Sequence, residues 1–215
     1  MMSTKATIYP DKRALITALI KPTDVVLDVG FWGQAIARHD PNWVHGILLE
    51  RAKEVWGLDL EFDEAEVSDP HRYKHASAED FSFDVKFDVI LAADLIEHLS
   101  NPGLFMQSCA RNLKDDGRLI ITTPNCFNLF NIASKLTHTE PIVNKDETCY
   151  FNQRMLRQLL QKNGWKVVEA DYLYSIGIVF RESFKKRVLN VAYYLLSRWT
   201  PKFVETIVVT ATRSQ

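Results

Sequence analysis

The residues with candidate chemistry stand where two apolar runs end. The first run, VVLDV from Val25, carries Asp28 near its end and is followed by Gly30 and Gly33. The second run, VWGLDL, carries Asp59 near its end. Glycine lets a backbone approach a ligand closely, and a carboxylate at a strand end can accept hydrogen bonds from both hydroxyls of a ribose. The pattern predicts a nucleotide-like ligand at these residues. The alternative for Asp59 is a solvated carboxylate without a ligand.

The loop after the first run reads DVGFWGQ and lacks the dinucleotide fingerprint GxGxxG. Trp32 stands where the second glycine would be, so a pyrophosphate would meet an indole there. This disfavours a nicotinamide-dependent oxidoreductase, which is kept as an alternative. An aromatic face from Phe31 or Trp32 could attract a cationic ligand, but for Phe31 core packing is the favoured interpretation.

A histidine follows another apolar run, in the segment FDVILAADLIEHL. His98 is the leading candidate for a general base, because histidine titrates near neutrality. The competing interpretation is that His98 only braces the chain after this run. His45 is a second candidate base, although a surface histidine is the favoured interpretation. The other histidines share no ligand spacing with a carboxylate, so no metal site is predicted.

Short β-rich runs alternate with helical periodicity, which predicts βαβ units around a doubly wound, mostly parallel α/β sheet. Such sheets bind ligands beyond the carboxyl ends of their strands. A helix is predicted over residues 42–54, one after Pro102 and one capped by Asn152. The stretch 124–147 is predicted to be a long functional loop. The predicted strands cover residues 24–29, 55–60, 73–76, 87–92, 118–123, 166–174 and 203–212.

Composition indicates one globular domain over residues 1–215. The chain has 47% hydrophobic and 25% charged residues and a net charge of -1, so no nucleic-acid surface is expected. Three cysteines without CxxC spacing predict neither a disulfide framework nor a zinc site. This cysteine pattern fits a reducing compartment, so a cytoplasmic location is expected. The sequence shows neither a signal peptide nor a run of about 18 apolar residues.

Four segments together resemble the class I S-adenosylmethionine-dependent methyltransferases, in particular those of methyltransferase types 11 and 12. FDVILAADLIEHL (residues 87–99) is similar to that family's segment after the fourth strand, and LKDDGRLIITTPN (113–125) is similar to its LkpGGrliistPN. Tyr150-Phe151 with the leucines up to Gly164 resembles a third segment. The run 205–213 resembles the last strand, which is antiparallel in that family. The resemblance implies a seven-stranded Rossmann-like sheet and S-adenosyl-L-methionine as cofactor.

The resemblance also assigns roles to individual residues. It places Asp28, Gly30 and Gly33 in the cofactor loop and Asp59 at the ribose. It places Ser77, Ala78 and Glu79 at the adenine and Ala92 at the methionine end, with Ser77 standing at the family's adenine-side aspartate. The loop DVGFWGQ departs from the usual DxGxGxG, so it must bend differently around Trp32.

A helical insertion is predicted near residues 181–200, before the last strand. Six basic residues and one acid, Glu182, lie between Arg181 and Lys202, around an apolar centre. Basic flanks with Tyr and Trp are typical of an interfacial helix, so a peripheral membrane contact is one interpretation. A dimer contact or a cover over the acceptor pocket is the other.

The sequence thus predicts a methyltransferase, O-directed rather than N- or C-directed, that acts on a small molecule or glycan. A catalytically silent S-adenosylmethionine-binding module is the alternative that the altered glycine loop suggests. The acceptor itself is not encoded in any motif found here.

Overall fold

A computed structural model describes residues 6–32, 40–67, 69–134, 145–174, 191, 193–197 and 199–214. Its strands are β1 (Ile8–Tyr9), β2 (Val25–Val29), β3 (Glu54–Asp59), β4 (Tyr73–His75), β5 (Phe87–Ala93), β6 (Leu113–Pro124), β7 (Trp165–Leu173) and β8 (Thr206–Arg213). Its helices of more than one turn are α1 (Lys12–Leu19), α2 (Val44–Arg51), α3 (Pro102–Asn112), α4 (Leu129–Ser134) and α5 (Gln153–Lys162).

The strands of this part of the chain form one sheet in the order β1-β7-β8-β6-β5-β2-β3-β4. The strands pair in parallel except at β8, which runs antiparallel to both β6 and β7. Strand order reverses between β2 and β5. At such a point the connections after the two strands run to opposite faces of the sheet and leave a crevice for a ligand. The predicted fold class, with its antiparallel last strand, is therefore confirmed.

The sheet has eight described strands where the sequence predicted seven. The additional strand is the two-residue β1, in which Ile8 pairs with Tyr172 and Tyr9 with Leu173. Two residues carry no periodicity, so sequence patterns could not reveal this edge strand.

Successive residues of the central strands face opposite apolar layers. In β2, Val26 packs with one layer, whereas Leu27 and Val29 pack with the other. The first layer contains the buried faces of α1 and α2, and the second contains those of α3 and α5. Strands covered on both faces explain why their sequences are continuous apolar runs.

The starts of two helices agree with the sequence prediction, whereas one helix end and one predicted loop differ from it. The Asn101 and Asn152 side chains accept hydrogen bonds from the backbone N–H groups of the first turns of α3 and α5. The helix predicted over 42–54 ends at Arg51, because β3 already begins at Glu54. The stretch predicted as a loop contains the short helix α4, and residues 135–144 lie outside the described part.

The predicted insertion is described only in its second half. Residues 191, 193–197 and 199 are helical, and residues 175–190 lie outside the described part of the chain. Among the helices that the structure describes, none is long and apolar enough to cross a membrane.

Candidate functional site

A cavity of about 320 Å³ opens at the carboxyl ends of β2, β3, β4 and β5. Its walls come from the loop after β2, the end of β3, the segment after β4 and the segment after β5. They are formed by Gly30, Leu58, Asp59, Leu60, Ala76, Ser77, Ala78, Glu79, Leu95, His98, Leu99 and Ser100. Six of the residues singled out from the sequence, Gly30, Asp59, Ser77, Ala78, Glu79 and His98, therefore line one cavity.

Gly30 forms one wall of the cavity and has a backbone that other residues rarely adopt. Its φ is +79°, and a Cβ built on it would lie 3.0 Å from Cδ1 of Leu95. Its N–H donates to the carbonyl of Leu58 over 2.7 Å, which ties the loop to β3. A side chain here would be strained and would also narrow the cavity, so the position suits close approach of a ligand to backbone.

Asp59 closes β3 and also fixes the loop after β2. Its Oδ2 accepts a hydrogen bond from the backbone N–H of Trp32, and its Oδ1 accepts one from the N–H of Leu60, both over 2.8 Å. These two bonds orient the carboxylate at the cavity wall. Gly33, the next predicted residue of this loop, lies outside the described residues.

The segment after β4 is held by its own polar groups. Ser77 Oγ accepts a hydrogen bond from the N–H of Glu79 over 3.1 Å. Glu79 Oε1 accepts one from the N–H of Asn101 over 2.7 Å, just before α3. Ser108 of α3 donates to the carbonyl of Glu79. The wall with Ser77, Ala78 and Glu79 is therefore fastened to α3.

His98 lies in a single turn after β5 and faces both the cavity and the segment after residue 144. Its Nδ1 is 3.0 Å from the carbonyl oxygen of Asp146. A carbonyl only accepts, so Nδ1 carries the proton, and Nε2 of the neutral ring keeps its lone pair. The contact fixes the tautomer that a general base needs, and it also braces the segment.

Glu97 was not singled out from the sequence, yet it is the most perturbed carboxyl group beside the site. It is buried, and its Oε2 accepts a hydrogen bond from the Thr123 hydroxyl over 2.9 Å. Burial, with a further contribution from the carboxylates of Asp94 and Glu147, raises the pKa of Glu97 to about 8. Only its adjacency to His98 could have indicated it, because burial depends on tertiary packing.

Asp94 is a second residue that the sequence did not single out. It has a left-handed backbone with φ +53°, which is uncommon for a residue other than glycine. Its carboxylate lies 3.1 Å from Lys12 Nζ and accepts a hydrogen bond from the Thr122 hydroxyl over 3.0 Å. The N-terminal helix α1 thereby reaches the ends of β5 and β6.

Asp28 is buried, belongs to a chain of polar contacts and does not line the cavity. Its Oδ2 is 3.0 Å from His45 Nδ1, and His45 Nε2 is 2.9 Å from the Tyr73 hydroxyl. His45 is buried, so the expectation of a surface histidine is wrong, because α2 packs it against the tip of β2. Phe31 is also fully buried and contacts the His45 and Tyr73 rings, as core packing predicts.

Ala92 is buried within β5 and, like Asp28, is absent from the cavity wall. Leu95, three residues later, forms the wall opposite Gly30 instead. No group of three or more His, Cys, Asp or Glu side chains placed to hold one metal ion occurs in the described part of the chain.

This combination of a doubly wound sheet, an antiparallel last strand and a strand-end cavity defines a Rossmann-like methyltransferase. The family model of the methyltransferase domain matches residues 11–170, about three quarters of the chain. The chain belongs to this family. It is a class I methyltransferase, and S-adenosylmethionine is its cofactor. A nicotinamide-dependent oxidoreductase does not agree with this assignment.

Curated relatives include several ubiquinone biosynthesis O-methyltransferases. The protein of that name from Bartonella quintana is 24% identical over 195 residues, which cover 80% of this chain and 72% of that protein. The one from Glaesserella parasuis serovar 5 is 34% identical over 85 residues, which cover 33% of this chain and 36% of that protein. The match to the Glaesserella protein thus spans about a third of that relative's length.

Solved structures share the fold. A 1,6-didemethyltoxoflavin-N1-methyltransferase from Burkholderia thailandensis, with its substrate and S-adenosylhomocysteine bound, superposes with a TM-score of 0.58 at 16% identity. The match covers 95% of this chain and 77% of that one. An S-adenosylmethionine-dependent methyltransferase from Archaeoglobus fulgidus has a TM-score of 0.56 at 16% identity and covers 94% of both chains.

Proposed function

We propose that this protein transfers the methyl group of S-adenosylmethionine to an oxygen atom of a small molecule or glycan. The observation that carries the proposal is the cavity that brings Gly30, Asp59 and His98 together at the carboxyl edge of the sheet. The cofactor supplies the methyl group as an electrophile. The protein has to hold donor and acceptor in line and to keep water out, which is mainly positioning work.

The proposed cofactor site uses the predicted residues that line the cavity. Asp59 accepts hydrogen bonds from the ribose hydroxyls, and Ser77, Ala78 and Glu79 border the adenine. Gly30 lets the ligand approach the backbone closely, because a Cβ at this position would occupy the space beside Leu95. The buried residues Asp28 and Ala92 support the ends of β2 and β5 from within.

An oxygen acceptor is supported by His98. A hydroxyl group must lose its proton when it accepts a methyl group, and a neutral imidazole with a fixed tautomer can take it. The bond from Nδ1 to the Asp146 carbonyl supports that role. The names of the ubiquinone biosynthesis O-methyltransferases also favour oxygen, whereas the toxoflavin-related enzyme acts on nitrogen.

We also propose that the 215 residues form one domain and that the protein works in the cytoplasm. Support for the compartment comes from the cysteines, because Cys109, Cys126 and Cys149 are all free thiols. Free thiols are typical of reducing compartments.

S-adenosylhomocysteine is expected to raise the melting temperature, because a ligand that binds the native state alone stabilises it. At about 100 times its dissociation constant the gain is roughly 2.7 kcal/mol, or about 5 to 10 °C for a chain of this size. Differential scanning fluorimetry with S-adenosylhomocysteine measures it, and NAD at the same concentration is the control. An unchanged melting temperature at millimolar S-adenosylhomocysteine would contradict the cofactor site.

Replacing Asp59 by alanine is expected to weaken S-adenosylhomocysteine binding by roughly 1.5 to 3 kcal/mol, about 10- to 150-fold, the range for hydrogen bonds to a charged group. Isothermal titration calorimetry measures the affinity. Glu61→Ala is the matched control, since Glu61 is exposed two residues further on and does not line the cavity. If Asp59→Ala bound normally and Glu61→Ala weakly, the ribose contact would belong to Glu61.

A further inference from the structure

The helical residues before β8 present an apolar face to solvent. Val191, Leu195 and Trp199 are spaced by four residues and therefore lie on one side of the helix. Their exposed fractions are 52%, 56% and 88%, and that of the neighbouring Leu196 is 44%. These four side chains are called the outer face below. Clustered exposure of large apolar side chains marks an interaction surface.

The opposite side of the same helix is fastened to the protein. Tyr193 is buried and donates a hydrogen bond to the Phe203 carbonyl over 3.2 Å. Ser197 is buried one turn later, with its hydroxyl 2.6 Å from that of Tyr174. Since residues 193 and 197 point inward, the outer face is held outward and cannot turn towards the core.

The helix lies at the edge of the sheet that carries the cavity. Tyr174 directly follows β7, at its carboxyl end. Asn125 follows the carboxyl end of β6, and its side-chain amide donates to the carbonyls of Lys202 and Val204 over 2.8 and 2.9 Å. These contacts fix the helix to the end of β7 and the chain after it to the end of β6.

The charge of this region decides which partner fits the outer face. Between residues 181 and 202 the sequence has six basic residues and one acid, a net charge of +5. The whole chain has a net charge of -1, so the remaining residues together carry -6. The basic charge is thus concentrated in the same stretch of sequence as an exposed apolar helix with Tyr and Trp, which is the composition of helices that lie in a lipid interface.

We propose that the outer face docks on an anionic lipid surface. Trp199, Leu195 and Val191 enter the boundary between headgroups and acyl chains, and Lys202, which follows the helix, contacts the lipid phosphates. Such a contact brings the carboxyl edge of the sheet, with its cavity, close to the membrane. The inference concerns docking and does not require that the acceptor be a lipid.

Cosedimentation with vesicles of phosphatidylglycerol and phosphatidylcholine tests the proposal. We expect at least tenfold tighter binding to these vesicles than to pure phosphatidylcholine, and weaker binding as salt rises. Trp199→Ser and Lys202→Glu should each weaken binding at least fivefold, and both should retain the melting temperature shift with S-adenosylhomocysteine. Met155→Ser, which changes an apolar side chain of α5 that is 48% exposed, should bind like the wild type.

Trp199→Phe separates insertion from surface attachment. It should still bind the vesicles, but it should lose most of the blue shift of tryptophan emission that the wild type shows on binding. The proposal is overturned if Trp199→Ser binds anionic vesicles as tightly as the wild type. It is also overturned if the wild type binds no vesicles and light scattering shows a dimer that Trp199→Ser converts to a monomer, because the outer face would then belong to a second copy.

Discussion

Replacing His98 by alanine is expected to lower turnover by about 10² to 10⁴, the range for loss of a general base, while the affinity for S-adenosylhomocysteine stays nearly constant. The physical reason is that the Asp146 carbonyl holds the proton on Nδ1, so that Nε2 is the basic atom. Steady-state kinetics with an accepted hydroxyl substrate measure the effect.

His98→Asn is the variant that separates chemistry from bracing. An asparagine amide can still donate a hydrogen bond towards the Asp146 carbonyl, but it has no basic atom in place of Nε2. We expect His98→Asn to be as slow as His98→Ala and to be as stable as the wild type. If His98→Asn kept full turnover while His98→Ala lost affinity and roughly 1 to 2 kcal/mol of stability, His98 would only brace the chain after β5.

Replacing Glu97 by glutamine is expected to change how stability depends on pH. Burial raises the pKa of Glu97 from 4.5 to about 8, so between these values the folded protein keeps a proton that the unfolded chain has lost. The protonated carboxyl group of Glu97 therefore contributes fully to the free energy of unfolding below about pH 4.5. This contribution is lost as pH rises through about 8. Between these two pH values the wild type loses roughly 3 to 5 kcal/mol of its free energy of unfolding. The amide of Glu97→Gln does not titrate, so the variant does not lose this stability.

Urea unfolding at a series of pH values from 5 to 9 measures this effect. The free energy of unfolding of Glu97→Gln, relative to the wild type, should rise by roughly that amount from the acid to the alkaline end. Glu61→Gln changes an exposed carboxyl group and should give a curve parallel to the wild type. Parallel curves for Glu97→Gln as well would mean that Glu97 is already ionised in the folded protein.

The sheet was predictable because its central strands are buried on both faces. Continuous runs such as FDVILA place apolar residues in both layers, and this pattern is local in sequence. Boundaries were less predictable. Val55 continues the helical spacing of α2, yet it belongs to β3, because pairing with Val26 of β2 outweighs that spacing.

The predicted site residues that line the cavity follow strand ends, which sequence patterns can locate. Glu97, Leu95 and His45 were missed or misjudged because their surroundings come from distant segments. The Glu97 carbonyl accepts hydrogen bonds from the N–H groups of Thr148 and Cys149, about 50 positions away. The two ring nitrogens of His45 contact Asp28 and Tyr73. Burial of a polar group by remote partners leaves no periodic signal in the sequence.

The polar chain of Asp28, His45 and Tyr73 limits how this part of the sequence can evolve. Tyr73 is held by its hydroxyl, and its ring lies so close to Gly57 that a Cβ there would come within 2.5 Å of it and 2.8 Å of Phe31. Gly57 therefore cannot be replaced by a larger residue in a single substitution while Tyr73 is present. Descendants that replace the glycine must exchange Tyr73 for a smaller residue and must also displace the Phe31 ring, and they would give up the hydrogen bond to His45 in doing so.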